Sequence, residues 1–168
     1  MGGFAALLIG ASDYEPAGLP PLSFVPRDLQ RLGEALRARG FRVVLPKARR
    51  QVSTNFVNGE VGHFLRAARR GETLLICLSG HGLHAKGTDY LIPEDAHPNM
   101  EPFWSGCVAI DWRNEVENTP AAQVLFLIDA CREGVQQDSM GGTVGWASRK
   151  ALIVAGRKVA HLYACSPA

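Results

Sequence analysis

Residues 73–82 read TLLICLSGHG, and residues 124–134 read VLFLIDACREG. Leu74 to Leu78 and Val124 to Ile128 are continuous apolar runs with no polar residue at alternate positions. Such runs suit strands buried on both faces, as in a parallel sheet covered by helices on each side. One run leads to His81 and the other to Cys131. The two stretches that decide the fold therefore also carry an imidazole and a thiol.

Working outward, FAALLIG at 4–10 predicts a first strand. Asp28, Leu29, Leu32 and Leu36 outline a helix closed by Gly40, with apolar positions three and four apart and a glycine at the cap. Residues 41–45 predict a second strand stopped by Pro46, and residues 55–70 a second helix with Phe56, Val57, Phe64 and Leu65 inward, closed by Gly71. Residues 73–79 form the third strand in this reading, 89–93 a short surface strand, and 93–106 a proline-rich loop. A helix is predicted over 108–118, a strand over 123–129, a loop over 132–148, a helix over 151–158 and a last strand over 159–164. Strands alternating with helices predict an α/β fold: a three-layer α/β/α sandwich around a mainly parallel sheet of five or six strands. Ligands of such sheets sit outside the carboxyl ends of the strands. His81 and Cys131 are expected just past two of those ends.

The 168 residues, 46% of them apolar, suit one globular domain. The formal charge is only +2, and Lys and Arg are scattered apart from short clusters such as Lys47 to Arg50, which leaves no basic footprint for nucleic acid. No apolar run approaches the roughly 20 residues of a membrane span, and residues 4–9 lack a basic leader. A soluble chain is expected. Cys77, Cys107, Cys131 and Cys165 show no C-x-x-C spacing, which argues against zinc and against a disulfide framework and points to a reducing cytoplasm. Cys77 and Cys165 lie inside apolar runs and read as small buried hydrophobes.

A thiol is mostly protonated near neutrality, so a cysteine nucleophile needs a base or a lowered pKa. His81 is the candidate base, with Gly80 and Gly82 leaving room for a turn and for a close carbonyl. The backbone N–H groups of Gly82 and Cys131 are candidate donors to an oxyanion. Singly, each residue also has a plain structural account, a turn histidine and a packed cysteine. Their arrival at the ends of two strands favours chemistry. His63, His84, His97 and His161 have no ligand cluster around them, so no metal site is expected. Asp89, Glu94 and Asp95 lack a D-x-D-x-D-G loop, so calcium activation has no motif behind it, and no organic cofactor is required. IGASDYEPAG after the first strand is neither G-x-G-x-x-G nor a P-loop, against a nucleotide site.

Taken in order, these motifs resemble the caspase-like superfamily of cysteine peptidases (peptidase family C14), most closely its metacaspase, paracaspase and prokaryotic caspase-domain members. SGHG at 79–82 resembles the histidine motif, DYLIPEDA at 89–96 the segment after it, and DACRE at 129–133 the cysteine motif. ALLIGASDY at 6–14 and VPRDLQRLGEALRARGF at 25–41 resemble the first strand and helix. His81 precedes Cys131 by 50 positions, close to the spacing known for caspases, whose signature is Q-A-C-[RQG]-G. Asp129 stands where that signature has Gln. An acid there repels an acidic P1 side chain and attracts a basic one.

In members that cut after Arg or Lys, an aspartate at this place and another at the start of the first helix line the S1 pocket. The matching residues are Asp129 and Asp28. The resemblance thus implies a cysteine endopeptidase cleaving after Arg, then Lys, through a Cys-His dyad and an acyl-enzyme, with protein or peptide substrates. Asp28 also reads as an acid placed at a helix N-terminus, and Asp129 as a hydrogen-bonded strand-end acid. Arg149 or Lys150, after the polar stretch 136–145, is an expected autoprocessing site. Relatives generally continue past a strand like VAHLYACSP (159–167) into a small-subunit region. That part is expected to be lacking here, as in a truncated piece, a processed fragment, or a domain completed by a small-subunit or regulatory partner. Ala, Arg and Gly usage favours a bacterial setting, where similar domains serve as regulated-proteolysis or defence effectors. The competing reading is a catalytically silent scaffold or regulatory binding domain.

Overall fold

The computed structural model describes residues 2–131, 153–154 and 157–163. Five strands form a parallel array: β1 (Phe4–Gly10), β2 (Arg42–Val44), β3 (Thr73–Ala85), β6 (Gln123–Cys131) and β8 (Arg157–Tyr163). Their order is β2-β1-β3-β6-β8, extended at the β8 edge by the antiparallel β7 (Ile153–Val154). Two short strands, β4 (Thr88–Leu91) and β5 (Val108–Ala109), branch off β3 as an antiparallel extension. The helices are α1 (Val25–Ala38), α2 (Thr54–Arg66) and α3 (Arg113–Asn118).

Alternation along each strand sorts the side chains into two faces. Ala5, Leu7 and Ile9 of β1 join Leu74, Ile76 and Leu78 of β3 and Val124, Phe126 and Ile128 of β6 in one core, closed by Val57, Val61, Phe64 and Leu65 of α2 and Val116 of α3. Ala6, Leu8 and Cys77 occupy the opposite face under Val25 and Leu29 of α1. These are the three layers the alternating pattern predicts. Fully burying one such aliphatic side chain stabilises the fold by about 1.5–3 kcal/mol. Where β1 ends, α1 comes down close: a Cβ on Gly10 would lie 2.4 Å from Val25 Cγ1 and 2.6 Å from Leu29 Cδ1. The missing side chain lets the first turn of α1, with Asp28, settle over the carboxyl end of the sheet.

Several elements depart from the sequence reading. The helix predicted over 55–70 starts at Thr54, because the Ser53 hydroxyl accepts the Phe56 N–H at 3.1 Å, and ends at Arg66. It stops early because the buried Glu72 draws the chain into a turn, accepting the Arg69 N–H at 2.9 Å ahead of Gly71. The helix predicted over 108–118 divides: Val108–Ala109 pairs with β4, Ile110 N–H donates to Asp89 O, and only Arg113–Asn118 is helical. Instead of the helix predicted over 151–158, Ile153–Val154 pairs antiparallel with Arg157–Lys158, and β8 opens at Arg157 rather than at 159. Most consequentially, β3 does not end at Ser79. It runs through His81 to Ala85, leaving β1 behind at Ser79 and taking β4 as its neighbour from Gly82 onward.

Candidate active site

His81 lies inside β3, and Cys131 closes β6 as its register partner, the last pair of the β3–β6 ladder. Neighbouring strands run about 4.8 Å apart, so the two positions are adjacent at the carboxyl edge of the central strands. Both were expected beyond the strand ends; the parallel ladder instead extends up to them. The pair one rung away by strand alternation is Ser79 and Asp129. There the Ser79 hydroxyl donates to an Asp129 carboxylate oxygen at 3.4 Å.

The imidazole is held by the loop between β1 and α1. His81 Nε2 lies 2.8 Å from the carbonyl oxygen of Pro20. A carbonyl can only accept, so Nε2 carries the hydrogen, and in the neutral ring the lone pair belongs to Nδ1. The Tyr14 ring packs against the imidazole at 4.6 Å between centroids, tilted by 60°. The His81 N–H donates to the Tyr14 hydroxyl at 2.9 Å. Burial pushes the Tyr14 phenol well above its ordinary range, with the backbone hydrogen bond to His81 opposing in part, so the hydroxyl stays neutral. Pro20 and Tyr14 join the site residues only through the fold. A main-chain carbonyl has no side-chain signature, although Tyr14 closes the ALLIGASDY motif.

Of the two glycines flanking His81, only Gly80 needs to be one for its backbone: its φ is 154°, and a Cβ there would sit 2.4 Å from the Tyr14 hydroxyl. Gly82 answers instead to close packing, since a Cβ would stand 2.9 Å from Ala130 Cβ and 3.1 Å from Tyr90 O.

The two acids lie on one side of the sheet. Asp129 is exposed and follows Leu125 and Leu127 on the α1 face of β6. Asp28 occupies the first turn of α1, half exposed, with Arg27 Nε 3.5 Å from its carboxylate. An ion pair this open to solvent contributes little. Its significance is that Asp28 already meets a guanidinium.

Three further groups find partners. His84 Nδ1 and Asp89 Oδ1 are 2.5 Å apart across the β3–β4 hairpin, which engages one acid considered for calcium. Glu94, another of those acids, is buried and accepts the N–H groups of Ser12 (2.8 Å), Asp13 (3.1 Å) and Val52 (2.7 Å). Among the described residues no group of three or more His, Cys, Asp and Glu is arranged to hold a metal ion. No helix among them is long and apolar enough to cross a membrane. Arg149 and Lys150 lie outside the described residues, as does Cys165.

Cys107 is buried, and its thiol is pushed up to about 12 by that burial. Cys77 is raised to about 12 as well, by burial first and then by the Asp129 charge. Such thiols are ionised at pH 8 to only about one part in 10⁴. Iodoacetamide at pH 8 should therefore leave Cys77 and Cys107 unmodified in the folded protein and label both on unfolding. Peptide mass mapping reads this directly, and an adduct on either in the native state would contradict the burial.

The sheet order brings a histidine and a cysteine together as register partners on its two central strands. The chain belongs to the caspase domain family of peptidases, whose family model matches residues 4–168. Among solved structures it is similar to protein GSU0716 from Geobacter sulfurreducens, with a TM-score of 0.54 and 20% identity over 80% of this chain and 52% of that one. This second likeness bears on the fold alone, and the chain spans about half the length of that neighbour. No curated protein matches the sequence significantly.

Proposed function

We propose that the chain is a cysteine endopeptidase that cleaves after Arg, and less readily after Lys. The observation that carries this reading is the register pairing of His81 with Cys131, joined to a histidine whose Nε2–H is committed to the Pro20 carbonyl. Nδ1 is then the base. It takes the Cys131 proton as sulfur attacks the scissile carbonyl carbon and the C–S bond forms. The imidazolium returns that proton to the departing amine as the C–N bond breaks. Water, deprotonated by His81, then releases the acyl group from sulfur and restores the thiol.

The N–H groups of Gly82 and Cys131 are the proposed donors to the oxyanion. His81 and Cys131 form the last rung of the β3–β6 ladder, so in this reading that rung parts as a substrate carbonyl enters. Asp129 and Asp28 form the proposed S1 pocket and take the P1 guanidinium in charge-assisted hydrogen bonds. The Ala, Arg and Gly usage suits a bacterial setting and the cysteine spacing a reducing cytoplasm, and a role in regulated proteolysis or defence follows by analogy with similar domains. A silent scaffold differs at one point: it would leave Cys131 unreactive toward an Arg-derived ketone electrophile.

Matched peptides differing only at P1 test the assignment. Arg should exceed Lys in kcat/KM, and Asp should give no measurable cleavage. A preference for Asp, or no labelling of Cys131 by the Arg ketone in folded protein, defeats it.

A further inference from the structure

We propose that Tyr14 is a positioning residue for His81, its hydroxyl replacing one hydrogen bond of the β3–β4 ladder and its ring bracing the imidazole so that Nε2 remains on the Pro20 carbonyl. The inference rests on the reading of His81 as the catalytic base.

The β3–β4 register begins at Gly82 with Leu91, one residue short of His81 and Ile92. At that next position one of the two hydrogen bonds of an antiparallel rung is present, Ile92 N–H to His81 O at 2.9 Å. The return bond is not direct. His81 N–H donates to the Tyr14 hydroxyl at 2.9 Å, and that hydroxyl donates onward to Ile92 O at 3.0 Å. A phenol oxygen is thus inserted in the rung, with both neighbours satisfied. The two strands are wedged apart at the residue that carries the imidazole. Gly80 makes room for the wedge, since any Cβ would collide with the hydroxyl.

The wedge is itself firmly seated. Tyr14 is fully buried, in a cluster with Ala11, Ala17, Ile92 and Phe103. Its loop is pinned from below by the Glu94 carboxylate, which takes the N–H groups of Ser12 and Asp13 on one oxygen and that of Val52 on the other. Leu19 N–H donates to Tyr14 O and Leu22 N–H to Ser12 O, so the turn that presents Pro20 is built on the same loop. Tyr14 and Pro20 therefore grip His81 as one unit, at the amide, at the ring face and at Nε2. Burial keeps the phenol neutral, so the hydroxyl can accept and donate at once.

Nitrogen-resolved NMR of the His81 ring in the full chain reads the tautomer without any substrate. Wild type should show a single neutral form protonated at Nε2. Tyr14→Phe keeps the ring and removes the wedge oxygen; it should give a mixture of tautomers while still unfolding cooperatively. With an Arg peptide, kcat should fall about 10-fold and KM stay within twofold, as for a displaced base rather than a lost binding contact. Glu94→Gln, which leaves Tyr14 intact but places an NH₂ against a backbone N–H, should shift the tautomer in the same direction and serves as the readout if Tyr14→Phe does not fold. A wild-type ring protonated at Nδ1, or variants that keep the single Nε2–H form and wild-type kcat, would overturn the proposal. Wild type that holds the Nε2–H form yet cleaves no basic peptide counts against the peptidase reading alone, and the tautomer shift then still decides for or against Tyr14.

Discussion

Cys131→Ala should abolish peptide hydrolysis, with kcat on an Arg substrate falling by about 10⁴-fold or more, because alanine offers no nucleophile for an acyl-enzyme. His81→Ala should come within about tenfold of the same loss, and the double variant should be no worse than the poorer single one. Groups that act as a unit lose their function together, so the effects do not add. The cysteine variant should fold as wild type does, since one sulfur atom is removed at the end of β6 and the apolar runs that build both cores are untouched. Steady-state rates at matched concentrations of folded protein settle the size of each loss. Residual kcat above about a tenth of wild type in Cys131→Ala would mean that another group attacks the carbonyl.

The parts of this protein legible in its sequence are those whose physics is local. β1, the parallel part of β3 and β6 show as unbroken apolar runs because both faces of the sheet are covered, and α1 shows because Leu29, Leu32 and Leu36 repeat at helical spacing. What escaped depends on pairing between distant residues. After Ser79 the chain reads GHGLHA, which has no strand period, yet it stays extended because β4 pairs with it. Val108 and Ala109 are likewise held as a strand by Tyr90 and Leu91, too short a segment to have a period of its own.

The same division runs through the site. His81 and Cys131 announce themselves by residue type and by the strands that carry them. The grip on His81 does not, since it uses the Pro20 carbonyl, the Tyr14 hydroxyl and, one step removed, a carboxylate 80 positions further along at Glu94. Asp89 and Glu94 are likewise engaged by residues that the sequence does not place beside them. Their oxygens meet His84 across the hairpin and three backbone N–H groups from two other loops.

Asp129→Asn should reduce kcat/KM for an Arg peptide by about 10²- to 10³-fold, the loss of one to two charge-assisted hydrogen bonds of roughly 1.5–3 kcal/mol each. The change is isosteric, so the hydrogen bond from Ser79 can persist and β6 need not move. Asp28→Asn should be milder, about 10-fold, because that carboxylate is half exposed and solvent weakens its field. Both variants should lose more against Arg than against a neutral P1 residue, and neither should gain activity toward Asp, since removing repulsion supplies no cation to bind it. The two losses should exceed additivity in neither direction by much if each acid holds its own edge of the guanidinium, whereas strong coupling would mean both share one contact. The ratio of Arg to neutral-P1 kcat/KM is the measurement that matters. An Asp129→Asn enzyme that keeps the wild-type ratio would place the basic-residue pocket elsewhere, and the acid near the end of β6 would then not be a P1 contact.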